Sequence, residues 1–242
     1  MSKLDIPKVG KIVEEAIRNI LERFDIKTFR ELFEKLSFSE VINIIEEEAE
    51  NLYRNYEREA IRKYLQNKGL ANKNVFEAID RIIDNSLITS IANIRRSRAG
   101  LTSQQILAKA LKEWGIPCQI SKISYKGYRP DIIVPSDIVI KKDLSKGFAI
   151  AVKRTLRERW AEDIDVFKFP NSAFVLIKSD PDFTPAKAKD MVKRGMKRVY
   201  IPDDLYEKYR EVLEKEKEFK HIFKKLSELP KDLVVFLKSF RN

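Results

Sequence analysis

The chain has one cysteine and one histidine in 242 residues. A single thiol, Cys118, excludes an intramolecular disulfide framework and a cysteine-based zinc site, both of which need several thiols. The lone histidine, His221, stands in a lysine-rich stretch read as helical tail, where it is expected as a surface residue. Histidine-dependent nucleases, HEXXH hydrolases and Ser-His-Asp triads all need a better-placed imidazole. Any chemistry must therefore rest on carboxylates and lysines. No apolar run approaches the roughly eighteen residues of a membrane span. The opening MSKLDIPKVGKIVEEA has no uninterrupted apolar centre of the kind a signal peptide carries, so a cytoplasmic protein is the expectation. Internal repeats and low-complexity linkers are also lacking.

What is abundant is charge, and it is unevenly placed. The net charge is +11, with 35% of residues charged. Residues 1–96 hold 17 Lys+Arg against 17 Asp+Glu, whereas residues 97–242 hold 31 against 20. A neutral half joined to a basic half points to a polyanion as partner of the C-terminal part. A lysine-rich thermophilic surface fits the same composition, with its abundant isoleucine and only four glutamines.

Apolar residues at the 3.6-residue period make the first third helical. One helix runs from Val9 to Phe24, and a short one from Thr28 to Leu36. A long third helix is capped by Ser37 or Ser39 and stopped at Asn67-Lys68-Gly69. A fourth is expected from Asn74, carrying Val75, Ala78, Ile79, Ile82, Ile83 and Ile91. Glu46-Glu47-Glu48 cannot converge on one ion, because consecutive helical residues fan around the axis; a solvated face is expected there.

After Arg95-Arg96-Ser97-Arg98-Ala99-Gly100, Thr102 or Ser103 is expected to cap a new helix with Ile106, Leu107, Ala110, Leu111 and Trp114 on one face. Arginines beside a helix start suit phosphate binding. The stretch from Gly127 to Trp160 then changes character. Pro130-Asp131 opens the apolar run Ile132-Ile133-Val134, and a second run, Phe148 to Val152, ends on Lys153. Both read as short buried strands, with an edge strand expected at Ile138-Val139-Ile140 between them. Paired side by side, they bring Asp131 and Lys153 to one end of a sheet. A carboxylate there can hold a hard divalent cation, and an ammonium can orient the attacking water. Further elements are a helix from about Leu156, a strand at Ala173–Ile177, a Thr184-capped helix to about Arg194, a strand at Val199–Ile201, and a helical tail with an apolar face of Leu233, Val234, Phe236, Leu237 and Phe240.

Asp131 and Lys153, with the SRAG run Ser97–Gly100 upstream and Lys153-Arg154-Thr155-Leu156-Arg157-Glu158-Arg159-Trp160 downstream, resemble the PD-(D/E)XK nuclease superfamily. The resemblance is to the Type II restriction endonuclease subgroup that contains the EcoRII catalytic domain, and it covers about Arg95 to Asp204. It implies an α/β (α+β) restriction-endonuclease-like core with a central mixed sheet flanked by helices. Residues 95–204 would form that core, 1–94 an all-helical N-terminal region used in packing, dimerisation or embracing DNA, and 205–242 a C-terminal helical tail. It also implies a homodimer that cuts double-stranded DNA at a short palindrome with CC/GG steps. Mg2+ would be bound by Asp131 and the Val152 backbone carbonyl, and Lys153 would be catalytic. Arg157, Glu158 and Arg159 correspond to the family's base-reading element, with Arg96 and Arg98 as further DNA contacts. Arginine pairs bidentately with guanine, and glutamate accepts from cytosine.

The pattern departs from the family at the acids. The superfamily's second acid, two residues before the lysine, is here Ala151, a position where the EcoRII-like subgroup also lacks an acid. The subgroup's glutamate, four residues past the SRAG glycine, is here Gln104. Three explanations stand side by side: an engineered Glu-to-Gln inactivation, a naturally weak enzyme, or another acid such as Glu162 or Asp165 brought in from the following helix. A junction-resolving or repair nuclease, or an inactive DNA-binding protein on the same core, are the alternative functions.

Overall fold

The computed structural model describes residues 4–67, 69, 87–156 and 160–240, with the side chains of residues 87–90, 93 and 96 left aside. Helix α1 spans Val9–Arg23, α2 Phe29–Lys35 and α3 Phe38–Asn67. The start of α3 is a capping box: the Ser37 hydroxyl accepts from Glu40 N at 3.2 Å, while Glu40 Oε2 accepts from Ser37 N at 2.8 Å. Gly69, with φ +65°, adopts the left-handed conformation just beyond the helix. The expected fourth helix, from Asn74 through Ile91, falls outside the described residues except for its end, where Ile91 lies in a helix that begins at Leu87.

Helix α4, Leu87–Glu113, corrects one expectation. It runs unbroken through Ser97-Arg98-Ala99-Gly100, so no helix begins at Thr102 or Ser103. An isolated glycine costs a helix only about 1 kcal/mol, which the buried face of Ile106, Leu107, Ala110 and Leu111 outweighs.

The sheet has six strands in the order β1 to β6: Gln119–Ile120, Ile132–Val134, Phe148–Lys153, Ser172–Leu176, Val199–Ile201 and Phe223–Lys225. The first three are antiparallel neighbours, and the pairs from β3 to β6 are parallel. The mixed sheet flanked by helices is the architecture expected. Two details differ. Residues Asp137–Lys142 form helix α5, not an edge strand, because the Ser136 hydroxyl caps Val139 N. The tail is not all helical: between α7 (Asp203–Lys215) and α8 (Leu229–Lys238) lies β6, which pairs with β5. Its sequence, Phe-Lys-Lys, carries no apolar alternation, and only the neighbouring strand reveals it. Helix α6 (Pro185–Lys193) is capped by Thr184 as expected.

Side-chain alternation along the strands divides the interior in two. Phe148, Ile150 and Val152 join Val175 and Tyr200 in one core with α1, α3, α4 and α8. Ala149 and Ala151 join Phe174, Leu176, Val199 and Ile201 in the other, beneath Trp160, Val166 and Met191. The N-terminal helices thus share a continuous core with the sheet. Gly147 is required at the entry to β3, since a Cβ there would overlap the Ile140 side chain of α5. The alternation puts Lys153 on the face of Ala149 and Ala151, and Arg154 on the opposite face, toward α3.

Candidate active site

Asp131 stands immediately before β2, and its backbone is tied on both sides. Its N–H donates to Ile150 O at 2.9 Å and its carbonyl accepts from Ser121 N at 3.0 Å. So anchored, the carboxylate reaches the end of β3, where Oδ2 accepts from Val152 N at 2.6 Å. Oδ1 accepts from the Gln104 amide at 2.5 Å. Three sequence-predicted residues, Gln104, Asp131 and Val152, therefore meet, with Lys153 next in the chain.

Lys153 Nζ lies 2.7 Å from Oδ2 of Asp163, an ion pair outside regular hydrogen-bond alignment. Asp163 belongs to a 3₁₀ helix at Trp160–Lys168, and its Oδ1 accepts from the Tyr128 hydroxyl at 3.1 Å. The expected helix from about Leu156 is thus replaced by this later, tighter turn. It packs on the face of the sheet that holds Ala151, the position where the superfamily's second acid is missing. A carboxylate arrives from the same side by another route.

Glu162 and Asp165 are the candidates for that role in one of the three explanations. Asp165 instead pairs with Lys168 at 2.7 Å, and Glu162 is exposed. Asp163, between them, and Tyr128 are the residues sequence reasoning missed. The acid-rich run Glu162-Asp163-Ile164-Asp165 carried the signal, but not the helical phase that selects one member.

Both central carboxylates are hard to ionise. Burial pushes Asp131 up to about 6, and the nearby Asp163 charge adds to this; the Val152 N–H, Lys153 and Arg129 act in the opposite direction. Burial likewise raises Asp163 above the usual carboxylate range, against the opposing pull of Lys153 and the Tyr128 hydrogen bond. The Tyr128 hydroxyl is pushed far up by burial and by Asp163. Two desolvated carboxylates beside one ammonium form a place where an added cation is favoured.

The arginines of the SRAG region are engaged within the chain. Arg95 bonds Glu57 through Nε at 2.9 Å, and Arg98 donates to Pro7 O at 2.6 Å and to Ile6 O at 3.2 Å. The Arg96 side chain lies outside the described residues, as do Arg157, Glu158 and Arg159. Their flanks are firmly held. Leu156 N–H donates to the buried Asp180 carboxylate, and the Trp160 ring lies 5.4 Å from Lys187 Nζ and 5.5 Å from the Arg194 guanidinium carbon.

Comparison with known proteins identifies the family. The family model described as EcoRII C terminal matches residues 53–219. The chain belongs to the EcoRII C-terminal family. This is a family of type II restriction endonucleases. Among solved structures, the restriction endonuclease PspGI in complex with substrate DNA superposes with a TM-score of 0.73 at 26% identity, covering 97% of this chain and 94% of that one. Metal-depleted Ecl18kI with uncleaved, modified DNA gives 0.71 at 17% identity, covering 98% and 81%. The same enzyme with uncleaved DNA gives 0.72 at 16%, with the same coverage. The two Ecl18kI matches speak to the fold. No curated protein sequence matches the chain. No described helix is long and apolar enough to cross a membrane.

Proposed function

We propose that the protein is a Mg2+-dependent type II restriction endonuclease, hydrolysing double-stranded DNA at a short palindromic site with CC/GG steps. The observation that carries this reading is the convergence of Asp131, Asp163 and Lys153 at the open end of β2 and β3 in a chain of this family. Among the described residues no group of three or more His, Cys, Asp or Glu gathers for a metal. The donors at hand are two carboxylates and neutral oxygens. That set suits Mg2+, which binds through one or two carboxylates and keeps several waters.

Asp131 and Asp163 would hold the ion, with the Val152 carbonyl as a further ligand. In an extended strand the N–H and C=O of one residue emerge on the same edge, so the Val152 carbonyl shares the edge from which its N–H reaches Asp131. Gln104 would add a neutral amide oxygen after turning its amide over. The ion, when bound, supplies charge stabilisation to the scissile phosphate. Lys153 orients the attacking water and places a positive charge beside the phosphate as the new P–O bond forms and the bridging one breaks. Arg157, Glu158 and Arg159 would read the bases, with Arg96 at the DNA backbone and Arg98 joining it on exchanging its Pro7 and Ile6 carbonyl partners for a phosphate. A homodimer, with one site for each strand, matches a palindrome.

The second carboxylate also favours an active enzyme over an inactive DNA-binding protein. Digestion of a large plasmid with Mg2+ tests the proposal: discrete bands are expected. A smear would remove sequence specificity, binding without cleavage would restore the inactive reading, and preference for four-way junctions would identify a resolving nuclease.

A further inference from the structure

Of the run Glu46-Glu47-Glu48, expected as a solvated face, Glu47 is exposed but Glu46 is turned inward. Glu46 is only 2% exposed, deep between α3, α4 and the end of β3. Its Oε1 accepts from Arg154 Nε at 2.6 Å, and both its oxygens lie 3.3–3.4 Å from the fully buried Ser103 hydroxyl. Each partner is the chain neighbour of a site residue: Arg154 follows Lys153, and Ser103 precedes Gln104. We propose that Glu46 is a positioning residue, holding the end of β3 and the rotation of α4 together so that Lys153 and Gln104 face Asp131. The inference rests on the nuclease reading above.

The argument is one of periodicity. Successive side chains of a strand point to opposite faces, so seating Arg154 against α3 turns Lys153 to the other side, toward Asp163. On α4, consecutive residues are about 100° apart, so turning Ser103 toward α3 fixes the direction in which Gln104 projects. One carboxylate therefore sets two site residues that approach from different elements. Glu50, one turn along α3, adds a second arm. It binds Arg154 directly, Arg54 at 2.5 Å and Lys178, just beyond β4, at 3.5 Å. Stability alone does not explain the arrangement, since buried ion pairs are often no more stabilising than well-packed apolar groups. Burial raises the Glu46 carboxyl above its ordinary range, and Arg154 draws it back.

Single-turnover cleavage and equilibrium binding separate the possibilities, using the full chain and the duplex that the wild type cuts in the plasmid digest. Glu46→Gln keeps the shape and the Glu50 arm. It should leave DNA affinity within about threefold and lower the cleavage rate at saturating DNA by about ten- to a hundredfold, the scale of an ångström's misplacement. Arg154→Lys should do the same, because an ammonium cannot span both glutamates. It decides the matter should Glu46→Gln fail to fold. A wild-type rate in a folded variant, or a change confined to affinity, would overturn the proposal; tighter binding by Glu46→Gln at an unchanged rate would make Arg154 a phosphate contact. A wild-type chain that cuts no DNA would instead overturn the nuclease reading and this inference with it.

Discussion

Lys153 Nζ and Asp163 Oδ2, 2.7 Å apart, join the last residue of β3 to a 3₁₀ turn ten residues later. The pair brings a carboxylate to the Asp131 end of the sheet, where the position of the family's glutamate is held by Gln104. It also ranks the carboxylates. Asp163→Asn and Asp131→Asn should each lower the cleavage rate at least about a hundredfold while sparing DNA binding. Lys153→Ala should match them, since a positioned proton-handling group contributes about 10²–10⁴. Asp165→Asn, which breaks only a surface pair with Lys168, should stay within about twofold, as exposed pairs contribute little. Equal losses for Asp165→Asn and Asp163→Asn would return the second acid to the unassigned state.

Gln104 donates to a carboxylate, so its replacement by glutamate sets two buried acids against each other. Without metal, Gln104→Glu should melt about 3–6 °C below wild type, a destabilisation on the order of 1–2 kcal/mol. Mg2+ should restore the difference and give a larger rise in melting temperature than it gives the wild type, because a third carboxylate strengthens the site. Cleavage should then improve most at low Mg2+. Melting curves in EDTA and across a Mg2+ series check this; identical shifts for both proteins would remove residue 104 from the metal environment.

Periodicity made much of this legible. The strand Phe148–Lys153 was bounded correctly because its apolar run ends in charge, and Asp131 preceded an equally clear β2. The elements that escaped depend on neighbours more than on their own residues. Strand β6 is seen only in its pairing with β5, and helix α5 follows from one serine cap overriding three β-branched or apolar residues. Asp163 and Glu46 escaped for a related reason. Within an acidic run, the member that turns inward is chosen by helical phase, and that phase is set by tertiary packing.

The raised pKa of Asp131 has a consequence for the metal-free protein. Its folded value, about 6, lies above the ordinary carboxyl value of 3.8, so between these limits the folded state binds more protons than the unfolded state. Stability therefore falls as pH rises through this window and recovers on acidification. Asp163 acts in the same direction. In EDTA, the wild type should gain up to about 3 kcal/mol from Asp131 between pH 7 and pH 4, before other carboxylates reverse the trend. Asp131→Asn should be the more stable protein at pH 7 and should lose that slope. Urea titrations across the pH range measure both; a variant less stable at pH 7 would mean that the carboxylate is better solvated than its burial implies.

Arg157, Glu158 and Arg159 stand between two fixed points, the Leu156 N–H on Asp180 and the Trp160 ring beside Lys187 and Arg194. Only a few residues of chain separate them from Lys153, so a base-reading role for this segment would link recognition directly to cleavage. Each bidentate base contact is worth about 1–3 kcal/mol of discrimination. Arg159→Ala should therefore weaken cognate binding by about one to two orders of magnitude and leave a scrambled duplex nearly unchanged. Lys193→Ala, as a surface charge, should weaken both duplexes alike, and should lower the salt slope if the lysine meets a phosphate. Lys187 differs, because its ammonium sits against Trp160; if residues 157–159 read bases, its loss should cost cognate affinity more than nonspecific affinity. Titrating cognate and scrambled duplexes at two salt concentrations separates these effects. Equal losses on both duplexes for Arg159→Ala would make the segment a backbone contact and leave base reading to other residues.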